Sequence, residues 1–199
     1  MKTQTRSTKS LILKTAQELI LSYGYQGFSY NDIASEINIR KSSIHYHFPT
    51  KQDLGIAFIN KYSRLFSLWG KRVEDLSSKD KLKAFCKMYG ELSQNCTRIC
   101  PIGMVAADYH NMPEGIQNNA QKLILQVEKW LEEMIREGMT NREFKQTLDP
   151  QEMTRHLIYA LSGALKMARI FKDRSRITQT QEALMEYLCL KEKIKGVTN

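Results

Sequence analysis

Residues 29–51 read SYNDIASEINIRKSSIHYHFPTK, a run that divides into two short helices at one asparagine. Ser29 followed three residues later by Asp32 is a helix-start pattern, with a hydroxyl to cap early amides and an acid at the positive end of the dipole. Ile33, Ala34 and Ile37 give about two turns of amphipathic helix. Asn38 falls where that helix must stop, and asparagine accepts the left-handed conformation that a sharp exit needs. In the second helix Ile39, Ile44 and Phe48 face inward, leaving Arg40, Lys41, Ser42, Ser43, His45 and His47 outside. The result is a helix-turn-helix whose outer face has no acid between Arg40 and Lys51.

Charge distribution agrees with that face. The 199 residues carry a net charge of +9, which favours a polyanionic partner. Residues 1–64 hold nine Lys/Arg against four Asp/Glu, and residues 65–199 hold 21 against 17. The excess is densest around the quoted run. The polar start MKTQTRSTKS lacks the apolar core of a signal peptide, and no apolar run reaches membrane-spanning length. The four cysteines (Cys86, Cys96, Cys100, Cys189) are too few for a disulfide scaffold. A cytoplasmic protein without membrane contact is expected.

The remaining pattern is helical. Ser7 caps a predicted helix to about Tyr23, with Ile12, Ala16, Leu19, Ile20 and Tyr23 on one face and Gly24 at its exit. Pro49-Thr50 opens a long helix from Lys51 through Leu54, Phe58, Tyr62, Leu65, Phe66 and Trp69. Leu82, Phe85, Cys86, Tyr89 and Leu92 mark another, and Ile102 to Tyr109 a short one after Pro101. Leu123, Val127, Trp130, Leu131, Met134 and Ile135 mark a long one beginning near Pro113-Glu114. Asp149-Pro150-Gln151-Glu152 is a start signal for a helix to about Phe171, and the last helix is expected over 177–194. No alternating strand pattern persists, so the fold class is all-α.

The segment SSIHYHFPTKQDL at 42–54, with ILKTAQELILSYGYQGFS at 12–29, resembles the tetracycline-repressor-like (TetR/AcrR) transcriptional regulators over about residues 7–60. Asn38 stands where that family commonly has glycine. The order His45-Tyr46-His47 departs from the commoner Tyr-His-Tyr or Tyr-His-His, which bears on the preferred DNA sequence. The resemblance implies an N-terminal three-helix DNA-binding domain at 1–50 and a larger effector-binding and dimerisation domain at 51–199. It places Lys41, Ser42, Ser43 and His45 on bases or nearby phosphates, His47 and Lys51 on phosphates, and Tyr30 and Asn31 beside the DNA backbone. Arg40 and Tyr46 complete the DNA-binding candidates. The implied partners are a palindromic duplex operator, a second copy of the chain and a small-molecule effector; no cofactor is expected.

Family resemblance also implies pairing of the last two helices between subunits. The candidate seam is Leu157, Ala160, Leu161, Ala164 and Ala168 with Leu184, Tyr187 and Leu188, where small residues permit close approach. Phe66, Trp69, Phe85, Met88, Met104, Tyr109, Trp130, Met134 and Met167 fit either a plain core or the walls of an effector cavity, and the resemblance implies the cavity. Asp108 has two readings, a structural partner or a receptor for a cationic or hydrogen-bonding ligand.

Metal and thiol chemistry are the remaining alternatives. His45 and His47 lie about 200° apart on a helix, so one ion cannot take both. Cys96 and Cys100 span CTRIC, which is not zinc-knuckle spacing. Cys100 precedes Pro101, so it caps the next helix and its thiol sits at the positive dipole end. It is either a sensing thiol for oxidants and electrophiles, with Cys96 as partner, or an inert buried one. The segment CPIGMVAAD is similar to cavity-lining stretches of the family. A thiol or hydrolytic enzyme is disfavoured by the absence of a phosphate-binding glycine loop, a zinc-protease pair or a Gly-x-Ser-x-Gly turn.

Overall fold

The computed structural model describes residues 7–93, 96–98, 100–147 and 149–190. Nine α-helices run through them: α1 (Thr8–Tyr23), α2 (Tyr30–Glu36), α3 (Lys41–His47), α4 (Lys51–Arg72), α5 (Ser78–Glu91), α6 (Pro101–Ala107), α7 (Glu114–Thr140), α8 (Pro150–Phe171) and α9 (Ser175–Leu188), with a 3₁₀ turn at Tyr109–Asn111 between α6 and α7. The only extended pairing among the described residues is an isolated bridge between Phe144 and Cys189. No described helix is long and apolar enough to cross a membrane.

Local chemistry sets most of the helix starts. Ser7 accepts from the Ser10 amide at 3.3 Å, and Asp149 accepts from the Glu152 amide at 2.7 Å with Pro150 as first helical residue. At α4 the Thr50 amide and hydroxyl both donate to Asp53, while the Asp53 amide donates back to the Thr50 hydroxyl. The amides of Ser78 and Lys79 at the start of α5 donate to the carboxylate of Glu143, 65 and 64 residues away.

The chain forms two compact units. The first comprises Met1–Leu68 and Thr97–Gln126, the second Trp69–Cys96 and Val127–Asn199. Compactness therefore groups α6 and the first part of α7 with α1–α3, whereas the functional division expected at residue 50 falls inside the first unit. In that unit Ile12, Ala16, Ile20, Ile33, Ile44, Leu54, Phe58 and Ile59 are wholly buried. Gly55 lets α4 lie against α7: a Cβ there would strike Ile116 and come within 3.1 Å of the Tyr25 ring. In the second unit Leu82, Phe85, Leu131, Ile135, Phe144, Leu157, Leu161, Ala168 and Leu188 are wholly buried. Lys81, also buried, is paired with Glu137 at 2.7 Å.

Three sequence expectations shift. Tyr23 is 69% exposed, because the turn at Gly24 (φ +84°) sends the chain back and Tyr25 takes the inward place. Leu65 is exposed, the buried stripe of α4 running through Leu54, Phe58, Ile59 and Phe66. The last helix begins at Ser175, where Asp173 accepts from the Ser175 amide and hydroxyl, and ends at Leu188. There the chain turns extended to exchange backbone hydrogen bonds with 143–145. The expected continuation from 191 to 194 lies outside the described residues.

Candidate nucleic-acid interface

The reader is built from α1–α3 and the start of α4. Asn38 adopts φ +52°, and the Ile39 amide closes back on the Ala34 carbonyl at 3.0 Å, which ends α2 and aims α3. At the head of α2 the Ser29 amide and hydroxyl both donate to Asp32, at 2.7 and 2.8 Å. Those bonds hold the Asp32 carboxyl below its ordinary pKa. Ile44 and Phe48 anchor α3 inward, and the Lys9 ammonium lies 5.5 Å from the Phe48 ring.

The outer face of α3 is exposed at Lys41, Ser42, His45 and Tyr46, with Arg40 just before it; Ser43 and His47 are half-buried. Tyr46 stands out at 81% exposure, with its ring edge-on to His47 at 5.0 Å. Asn31 is exposed at the start of α2. His45 donates through Nδ1 to the Pro49 carbonyl at 3.2 Å, and its ring is edge-on to Tyr30 at 4.9 Å.

Tyr30 and Lys51 turn inward. The Tyr30 hydroxyl donates to the carbonyl oxygens of Phe48 (2.8 Å) and Thr50 (2.6 Å), pinning the corner between α3 and α4. Burial, then the nearby Asp53 charge, push its phenol up to about 12, so it remains a donor at neutral pH. Lys51 donates to the Phe28 carbonyl and sits 4.4 and 4.9 Å from the ring centroids of Phe28 and Tyr25. Burial pulls its pKa down, with Asp32 opposing. This aromatic cage was not anticipated from the sequence; its signal was the spacing of Tyr25, Phe28 and Tyr30 in the loop before and at the head of α2.

The effector candidates separate between the two units. In the second, Trp69, Phe85 and Trp130 pack as a ring cluster, 5.0 Å between the two tryptophans and 6.2 and 6.0 Å from each to Phe85. Met134 is buried and Met88 half-buried. In the first, Phe66, Cys100 and Met104 are buried, Tyr109 is exposed, and Asp108 accepts from the Asn111 side chain at 2.6 Å. Met167 does not point inward: it is 41% exposed on the outer side of α8. Cys100 caps α6 as expected, its sulfur accepting from the Gly103 amide at 3.1 Å, but it is only 5% exposed. All four cysteines are free thiols, and burial pushes Cys86 up to about 12. No group of three or more metal-ligating side chains occurs among the described residues.

The seam candidates also divide. Leu157, Leu161, Ala168 and Leu188 are wholly buried in the protomer's own core. Ala160, Ala164, Leu184 and Tyr187 instead line an open groove of about 690 Å³ with Tyr159, Gly163, Met167 and Ala183, although Ala164 is itself buried. Gly163 faces open space, with nothing within 4 Å of where a Cβ would be.

These features meet in known proteins. Residues 12–58 match the family model of bacterial regulatory proteins of the tetR family, and residues 78–184 match that of the tetracyclin repressor-like C-terminal domain. The chain is similar to a TetR transcriptional regulator from Legionella pneumophila, with 30% identity, TM-score 0.82, and coverage of 92% of this chain and 98% of that one. It is 26% identical to an uncharacterised helix-turn-helix regulator from Lactococcus lactis subsp. lactis, over 84% of this chain and 86% of the relative. Over 46 residues, about a quarter of each chain, it is 39% identical to IcaR, the negative transcriptional regulator of a biofilm operon in Staphylococcus aureus. A two-helix reader followed by a larger helical region defines a DNA-binding transcriptional regulator. The chain belongs to the TetR family.

Proposed function

We propose that the chain is a homodimeric repressor that reads a palindromic operator through α3 of each copy and is released by a small-molecule effector. The observation that carries this reading is the exposed, acid-free face from Arg40 to His47, seated on buried Ile44 and Phe48. It acts where chromosomal DNA is, in the cytoplasm. The apolar groove along α8 and α9, rimmed by Tyr159, Met167 and Tyr187, supports pairing of two copies there. The Trp69, Phe85 and Trp130 cluster, with adaptable Met88 and Met134 one turn along the same helices from Phe85 and Trp130, supports effector contact in the second unit. Release then follows from an effector that binds one conformation of the dimer better than the DNA-competent one. The thiol-sensing alternative rests on the Cys100 cap; its burial favours non-covalent release.

Selection of genomic fragments by the purified protein, followed by binding against salt, tests the proposal. A palindromic consensus is expected, with affinity falling roughly 10³–10⁵-fold between about 50 and 200 mM salt for ~6–10 phosphate contacts. Equal affinity for selected and random duplexes would overturn it.

A further inference from the structure

We propose that His45 distinguishes amino-bearing bases from keto-bearing ones at one position of each half-site, acting as a hydrogen-bond acceptor through Nε2. The inference rests on the DNA-reading function proposed above and goes beyond it by assigning the polarity of one contact. A backbone carbonyl can only accept, so the 3.2 Å contact between Nδ1 and the Pro49 oxygen requires the proton on Nδ1. In the neutral ring Nε2 is then a bare lone pair. It has no hydrogen-bond partner among the described residues, and the side chain is exposed on the outer face of α3.

The ring is also held in orientation. Tyr30 lies edge-on at 4.9 Å with an interplanar angle of 63°, and its own hydroxyl is tied to Phe48 and Thr50. Both contacts are tied to the corner between α3 and α4, so that corner fixes the ring's tautomer as well as its orientation. An acceptor presented to the major groove pairs with cytosine N4 or adenine N6. Facing guanine O6 or thymine O4 it meets another acceptor. Lys41, four residues earlier on the same exposed helix, carries only donors and has the opposite preference. The two together would read an amino and a keto base at different positions.

The experiment deletes single atoms from the DNA. Duplexes are first selected with wild type at about pH 8. The selection is repeated with His45→Phe, which keeps an aromatic ring, and with His45→Leu, which keeps an apolar side chain; neither carries a hydrogen-bond acceptor. Positions whose preference relaxes in both variants report the lost acceptor. At those positions the exocyclic amine is then removed, with purine for adenine or 2-pyrimidinone for cytosine. The expected result is a loss on the order of 5-fold for wild type, the worth of one neutral hydrogen bond, and no loss for either variant. Preferences unchanged in both variants would overturn the assignment, as would wild-type binding indifferent to the missing amine. Absence of any selective binding by wild type would instead remove the DNA-reading function itself, and this inference with it.

Discussion

Replacing Lys51 by Met removes an ammonium while keeping a flexible apolar stem, and it separates an internal role from contact with phosphate. The ammonium donates to the Phe28 carbonyl and lies over two rings at 4.4 and 4.9 Å. A hydrogen bond from a charged group contributes about 1.5–3 kcal/mol, and a partly desolvated cation over rings about 0.5–2 kcal/mol. Burial opposes both, as the depressed pKa of Lys51 indicates, and Met recovers that part of the cost. The net loss expected is about 2 kcal/mol, or about 4–8 °C in melting temperature for a chain of this length. Thermal unfolding followed by circular dichroism measures it. Operator titration against salt supplies the second arm: an internal lysine leaves the slope of log K against log salt unchanged, whereas each lost phosphate contact lowers it by about 0.9. A reduced slope with unaltered stability would refute the cage as the main role of Lys51.

The groove on α8 and α9 predicts that Met167→Glu yields monomers in sedimentation with weakened operator binding, while Leu161→Ala, in the protomer core, costs about 2–5 kcal/mol of stability. Cys100 should react with alkylating reagents only as fast as the first unit opens, so mild urea should accelerate the reaction steeply; rapid modification of the folded protein would contradict its burial. Asp32, Asp80 and Asp173 have carboxyls held below their ordinary pKa, chiefly by hydrogen bonds from Ser29, by Lys83 with Ser77, and by Ser175. Their folded values lie below the unfolded ones, so their stabilisation is complete above about pH 4 and is lost as pH falls through the depressed values. Asp32→Asn should therefore lower stability at pH 7 and flatten the acid limb of the unfolding curve.

What the sequence revealed was local. Ser29 with Asp32, Thr50 after Pro49, Cys100 before Pro101 and Asp149-Pro150 all signal through neighbours within one turn, and each starts a helix where expected. Asn38 identified the turn for the same reason. Direction across tertiary contacts was not legible. Lys51 and Tyr30 carry polar tips that chemistry would equally well send to solvent, and only the aromatic cage and the two carbonyls draw them in. On α8 both faces are apolar, with Leu157, Leu161 and Ala168 on one and Tyr159, Met167 and Ile170 on the other. Periodicity cannot tell which face a helix keeps for its own core when either would serve.

The remote acid that closes the start of α5 also orders events in time. The α8–α9 hairpin joins through three residues and starts from its own aspartate, so its contacts are short in sequence. The first amides of α5 wait for Glu143, more than sixty residues on, although Ser77 also caps that end locally. Loops of that length close late, and contacts that depend on them are expected to be absent from the rate-limiting barrier. Glu143→Gln should therefore speed unfolding while hardly slowing folding, a φ-value near zero, whereas Asp149→Ala should slow folding itself. A high φ-value at Glu143 would place α5 in the nucleus instead.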